Sequence, residues 1–212
     1  MPEYLIYLKK LTTVANHFKR NYQSYDSVFK DGSKKKIDKI NLPLESNDEL
    51  EAGKHFISKN QLETILQKLF LSLLSEIFEF EDITSEISET RGSALIDFIL
   101  DDEIEYKKNK YRTCIQFQHG TVKFTFAIKD GYSKSSKDWV KDIIPIMEGL
   151  KIEYKYKKLN KPTKLAYISI SKKIHQDDYW KLSLEDLSKL IKKEYDTGLN
   201  LSKKLNKKIL EL

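Results

Sequence analysis

The sequence predicts an α+β fold: a mixed, mostly antiparallel sheet flanked by helices, with added helices at both ends of the chain. Three observations carry that expectation. Apolar side chains recur at helical spacing over 59–79. The segments 93–100, 111–118 and 121–128 are short and rich in β-branched and aromatic residues, and Gly120 punctuates the gap between the last two.

Taken in order, residues 4–30 read as one or two helices, with Leu5, Leu8, Leu11, Val14, Ala15 and Phe18 at helical spacing. The polar run 31–56, interrupted by Gly32, Pro43 and Gly53, reads as a charged linker. In 59–79, Leu62, Ile65, Leu66, Leu69, Phe70, Leu73, Leu74 and Ile77 form one apolar stripe. Ser58 with Gln61 reads as its capping box, and Ile57 with Leu62 as its hydrophobic staple. Residues 82–90 alternate weakly. SALIDFIL (93–100) is apolar on both faces, as a central strand is. In 111–118, Tyr111, Thr113, Ile115 and Phe117 share one face, and Arg112, Cys114, Gln116 and Gln118 the other. TVKFTFAI (121–128) follows after a tight hairpin. A helix over 136–149 is expected to kink at Pro145 and end at Gly149, followed by strands at 151–157 and 164–171. Two helices close the chain. The first is capped by Ser183 and Asp186 with Leu182 stapled on Leu187; the second follows Gly198. This divides the chain into a helical segment (1–30), a linker (31–56), an α/β core (57–175) and a basic helical pair (176–212).

Composition narrows the function classes. A lone Cys114 excludes a disulfide framework and a cysteine-based zinc site, and fits a reducing cytoplasm. No apolar run reaches the roughly 18–20 residues that span a bilayer, and the N-terminus lacks a cleavage pattern, so a cytoplasmic protein with no membrane association is expected. His17, His55, His119 and His175 are scattered, and the glycines are isolated, which excludes histidine-metal spacings and phosphate-cradling loops. Charge is uneven: residues 45–106 hold 16 acidic and 4 basic groups, while the flanking segments are net basic. Such a layout can set metal-attracting carboxylates beside a phosphate-attracting surface.

Two adjacent apolar strands carry unexpected polar groups: Asp97 in ALIDFIL and the pair Gln116 and Gln118 in CIQFQ. Residues two apart on a strand share a face, so the three can converge on a neighbouring-strand site. A metal-dependent phosphodiesterase needs a carboxylate and a further oxygen on Mg²⁺, with a donor nearby for the phosphate. The pattern resembles the PD-(D/E)XK nuclease superfamily, whose core runs helix, three strands, helix, strand. That resemblance implies a restriction-endonuclease-like core over roughly 59–171, in a protein of restriction or phage defence. It implies Asp97 as metal ligand, Gln116 as a neutral co-ligand, and Glu79 (or Glu76) as the acidic residue from the preceding helix. Gln118 replaces the family lysine, and Lys123 on the next strand is the candidate to supply the missing charge. The non-functional alternative has Asp97 pairing with Arg91 or Arg112, and the glutamines facing solvent.

Basic and aromatic residues also interleave in EYKKNKYR and EYKYKK. Lys107, Lys108, Lys110, Arg112, Lys155 and Lys157 are candidates to neutralise phosphates of DNA or RNA, with Tyr111 to stack on unpaired bases. The opposing expectation is a non-catalytic protein–protein or assembly module, through a homo-oligomer or a partner held by the C-terminal helices.

Overall fold

The computed structural model describes residues 3–29, 48–79, 81–90, 92–107, 109–129, 138–160, 167–174 and 178–212. The elements are α1 (Glu3–Asn21), α2 (Asp26–Phe29), α3 (Glu49–Asn60), α4 (Glu63–Glu79), β1 (Ser85–Thr90), β2 (Ser93–Tyr106), β3 (Asn109–Gln118), β4 (Thr121–Ile128), α5 (Asp138–Glu153), β5 (Lys158–Asn160), β6 (Tyr167–Lys173) and α6 (Leu184–Leu210). Among the described residues the strands form one six-stranded sheet in the order β1-β2-β3-β4-β6-β5, and every pairing among these six is antiparallel. The α+β expectation is therefore met by an antiparallel sheet with helices against it. Among the described residues, four strands precede α5 and two follow it.

Side-chain alternation gives the sheet two unlike faces. One is apolar and takes the helices. Phe78 of α4 lies 4.4 Å, ring centroid to centroid, from Phe98 of β2, and Trp139 of α5 packs on Tyr111 and Phe126. The α6 hydroxyl of Ser202 is 2.7 Å from that of Thr113. The other face carries Glu86, Asp97, Gln116 and Lys123, and no described helix packs over that row.

The β3–β4 hairpin turns on His119 and Gly120, with φ of 48° and 66°. Two consecutive residues at positive φ match the twist of a two-residue hairpin, so His119 is a turn residue. Here a side chain in place of Gly120's hydrogen would also meet the Tyr179 ring at 2.9 Å. β2 runs further than 93–100, to Tyr106, and its register slips on both sides of Asp101. The irregularity turns Asp101 toward α6, where it accepts from Asn206 Nδ2 at 2.8 Å.

Several expected boundaries are corrected. Residues 31–47 of the expected linker lie outside the described residues, but the rest of it is helical: Asp48 caps α3 by accepting from Leu50 N–H at 2.8 Å. The capping box at Ser58 and Gln61 does not form. Gln61 instead adopts φ 54° and closes α3, its N–H reaching Ile57 and Ser58 carbonyls, before α4 starts. Residues 151–157 are not a strand, because α5 continues through Glu153. Lys155 sits at φ 58°, and the Tyr156 and Lys155 N–H groups return to the Lys151 and Ile152 carbonyls, a Schellman closure. The alternating Ile152, Tyr154 and Tyr156 imitate a strand, yet Ile152 is exposed and Tyr156 buried.

The basic helical pair is a single helix, α6. Its start is as expected: Ser183 Oγ accepts from Asp186 N–H at 3.0 Å. Gly198 lies inside it, where the helix crosses the sheet so closely that a Cβ would sit 2.8 Å from Ile115 and 3.0 Å from Leu100. The apolar stripe of α6 (Leu187, Ile191, Leu201, Leu205, Ile209) is buried in the chain's own core. The N-terminal helices join that core as well: Phe29 stacks on Trp180, and Tyr22 donates to the Leu182 carbonyl at 2.8 Å.

Alanine in a helix interior is ordinarily about 1 kcal/mol better than glycine. At Gly198 the contact with Ile115 reverses that sign. Gly198→Ala is expected to lower stability by about 1–3 kcal/mol, and in combination with Ile115→Ala to cost less than the two single losses together. Urea unfolding checks this; a raised midpoint for Gly198→Ala contradicts the close crossing.

Candidate functional site

Register builds the site. Glu86 on β1 pairs with Asp97 on β2, Asp97 with Gln116 on β3, Gln116 with Lys123 on β4, Lys123 with Ser171 on β6, and Ser171 with Lys158 on β5. One transverse row thus runs from two carboxylates at the β1 side to two lysines at the β4 and β5 side. Directly opposed residues lie about 4.5–5.5 Å apart, close enough for side chains to bond. Gln116 Nε2 donates to Asp97 Oδ1 at 2.9 Å. Lys123 Nζ donates to Gln116 Oε1 at 2.7 Å and to Gln118 Oε1 at 3.2 Å. Arg112, on the same face, binds Glu86 Oε2 through Nη1 at 2.6 Å and sets Nη2 3.8 Å from Asp97 Oδ2. Asp97 is only 7% exposed.

Of these groups, Glu86, Asp97, Arg112, Gln116 and Lys123 line a cleft of about 580 Å³ that also includes Cys114, Thr125, Lys129 and Tyr167. Burial pushes the Asp97 carboxyl above its ordinary pKa, against the opposing pull of the Gln116 donor and the Arg112 charge. Burial likewise pushes the Lys123 amine below its ordinary value, with Asp97 pulling the other way. Buried Cys114 is pushed well up, chiefly by desolvation, so it is a thiol and not a nucleophile.

The structure brings Asp97, Gln116, Gln118 and Lys123 together, in the strand order that the sequence implied. It does not bring Glu79 or Glu76 to them. Both belong to α4, which packs on Phe98, and Phe98 points away from the face of its neighbour Asp97. Glu79 instead accepts from Ser75 on its own helix at 3.5 Å. The carboxylate that does approach is Glu86, hidden in a weakly patterned strand whose pairing register is invisible in sequence. Among the described residues no group of three His, Cys, Asp or Glu side chains has metal-holding geometry. Asp97 and Glu86 are a pair, and Arg112 lies between their charges.

The nucleic-acid candidates separate. Arg112 is in the cleft, but Tyr111 is fully buried, stacked on Phe126 with centroids 4.8 Å apart, and cannot meet a base. Lys107 is paired with Asp142 at the β2–β3 end, and Lys110 is exposed beside it. Lys108 lies outside the described residues. Lys155 and Lys157 are exposed at the β5 edge, and Lys157 hands its N–H to the Ser171 carbonyl at 3.0 Å. Lys110 is six residues along β3 from Gln116, about 20 Å by strand rise, so the two basic stretches are not one patch. No described helix is long and apolar enough to cross a membrane.

Comparison with protein-family models, with curated proteins and with solved structures finds no match. The site is therefore read from its own geometry.

Because the Asp97 pKa is raised by folding, its protonated form is favoured in the folded state. That stabilisation is fully present below the unfolded pKa and is lost as pH rises through the folded-state value. Asp97→Asn removes the titration. It is expected to match or exceed the wild type in urea midpoint near pH 7, with the gap closing as the pH falls through the folded-state pKa of Asp97. A deficit at neutral pH that shrinks on acidification contradicts the burial argument.

Proposed function

We propose that the protein is nucleic-acid-directed, and that the row Glu86–Asp97–Gln116–Lys123–Lys158 binds a strand by its phosphate backbone without cleaving it. The observation that carries this reading is the order of charge along the row. Carboxylates stand at one end, a neutral amide in the middle and two lysines at the other end, all on a sheet face left open by the described helices.

That order is what a phosphodiesterase uses, with carboxylates for a metal and cations for the phosphate. It supports kinship in layout with the PD-(D/E)XK nucleases, including the restriction and defence roles that this resemblance implies. Lys123 stands in for the lysine that Gln118 replaces, since Gln118 accepts from the Lys123 ammonium. The argument for binding over catalysis is Arg112. Its guanidinium is bonded to Glu86 and faces Asp97, where a divalent cation would have to sit. A charge fixed there neutralises the pair but offers no open coordination position to activate water. In the catalytic alternative, Asp97 and Glu86 would hold a Mg²⁺ ion, with Gln116 as neutral co-ligand, Lys123 as the charge stabiliser and Arg112 turned away from the carboxylates.

Binding of short single-stranded DNA and RNA, followed by fluorescence anisotropy, tests the reading. With Lys123 and Lys158 each neutralising one phosphate, affinity is expected to fall about sevenfold between about 50 and 200 mM salt. Lys158→Gln is expected to flatten that slope by about half. No Mg²⁺- or Mn²⁺-dependent cleavage is expected. A salt-independent affinity removes the phosphate argument, and cleavage abolished by Asp97→Ala establishes the catalytic alternative instead.

A further inference from the structure

Tyr167, the first residue of β6, is placed unlike the other aromatic side chains of the sheet. It is 38% exposed, and of the large apolar residues exposed among the described residues it alone stands on a strand. Alternation puts it on the open face with Ser169 and Ser171, while Ile168 and Ile170 go to the core. Directly opposite it on β4 is Ala127, which is opposite Arg112 on β3 in turn. Tyr106, Tyr111 and Tyr179 all lie against neighbouring rings. Among the described residues no second ring packs on Tyr167.

The cleft beside this tyrosine has a floor of short side chains. Cys114, Thr125 and Ala127 line it, with Arg112 on the β3 side and Tyr167 on the β6 side. Short neighbours leave a flank of the ring uncovered, and a cleft of about 580 Å³ accommodates a planar heterocycle. The polar row sets the direction from which one would come. Lys123 on β4 and Lys158 on β5 belong to the two strands that flank β6, and both are opposite Ser171. Tyr167 is four residues from Ser171 on the same face, about 13 Å along the strand. A nucleic-acid backbone laid across the strands on the two lysines turns its bases along the strands, on one side toward Tyr167. Lys123 and Tyr167 line the same cleft, approaching it from two ends.

We infer that Tyr167 selects single-stranded nucleic acid, by stacking on one unpaired base seated over Cys114, Thr125 and Ala127. The inference rests on the phosphate-binding reading above and adds to it the part of the strand that is recognised. Phosphate contacts position a backbone but carry no information about its bases. An aromatic ring supplies a different preference. Every base has a π face to offer it, whatever the sequence, but a base inside a duplex has its faces covered by its stacked neighbours. Stacking asks nothing of the lysine except its charge, so Lys123 remains the ammonium that meets the phosphate.

Fluorescence anisotropy with three labelled probes tests it: a short oligothymidylate, an abasic strand with the same number of phosphates, and the oligothymidylate annealed to oligodeoxyadenylate. The wild type is expected to bind the base-bearing single strand about 5- to 150-fold tighter than the abasic one, the range that one stacked base provides. Tyr167→Ala is expected to lose that factor on the base-bearing strand and to leave the abasic strand and the duplex unchanged. Tyr167→Phe is expected to keep it. Ala127→Leu, which fills the floor opposite Tyr167 while retaining the ring, is expected to lose it as well; circular dichroism and urea midpoints check that each variant folds. Equal affinity of the wild type for base-bearing and abasic strands overturns the inference, as does a Tyr167→Ala loss of the same size on all three probes. The salt slope separates the two readings, because Tyr167→Ala removes no charge. Salt-dependent binding without a base preference overturns the stacking alone. Absent or salt-independent binding on every probe overturns the phosphate reading and the stacking with it.

Discussion

Antiparallel register is the constraint on which the rest of this structure depends. Five consecutive pairings put Glu86, Asp97, Gln116, Lys123, Ser171 and Lys158 opposite one another. A slip of one residue in any strand would carry its member of the row to the helix-covered face. Such slips are opposed by the apolar face, where Phe98, Ile115, Phe124 and Ile170 form the adjoining row and are all fully buried. The helices that bury those side chains therefore also hold the polar row in line. The tight His119–Gly120 turn and the close crossing of Gly198 over Ile115 secure the same register from the hairpin and from α6.

Within the row, burial and pairing oppose each other. Hydrogen bonds to charged groups contribute roughly 1.5–3 kcal/mol, but taking a carboxylate and an ammonium out of water costs several. The neutral Gln116 between them is the compromise. It joins Asp97 and Lys123 by two hydrogen bonds without letting the charges collapse into an ion pair. The carboxyl is displaced upward and the amine downward, each by desolvation first. Both groups are thus held nearer to their neutral forms than free side chains are, and Arg112 offsets the remaining negative charge from above the β1–β2 side.

Much of the sheet was legible in the sequence because its signals are local. Alternation in 111–118 named both faces correctly, and Gly120 marked the hairpin. Asp97, Gln116 and Gln118 stood out because polar groups interrupt apolar strands. What failed depended on tertiary context. Glu79 looked plausible because a helix pattern says nothing about which face of the sheet it covers. Glu86 was missed because only the β1–β2 pairing brings it opposite Asp97. Gly198 resembled a break, while its purpose is room for Ile115. Tyr111, offered among lysines as a residue to stack on bases, belongs to the core. Ile152, Tyr154 and Tyr156 mimicked a strand because three residues do not separate a period of two from the end of a helix.

The central claim is that the opposed side chains of Asp97, Gln116 and Lys123 form one desolvated, hydrogen-bonded unit. Site-resolved NMR titration of the Asp97 carboxyl carbon and the Lys123 Cε tests it most directly. The account requires the Asp97 midpoint above, and the Lys123 midpoint below, the values of exposed residues of the same type. It also requires Gln116→Leu to raise the Asp97 midpoint further, because the donor that favours its charge is gone. Ordinary midpoints for both groups, unmoved by Gln116→Leu, would contradict it.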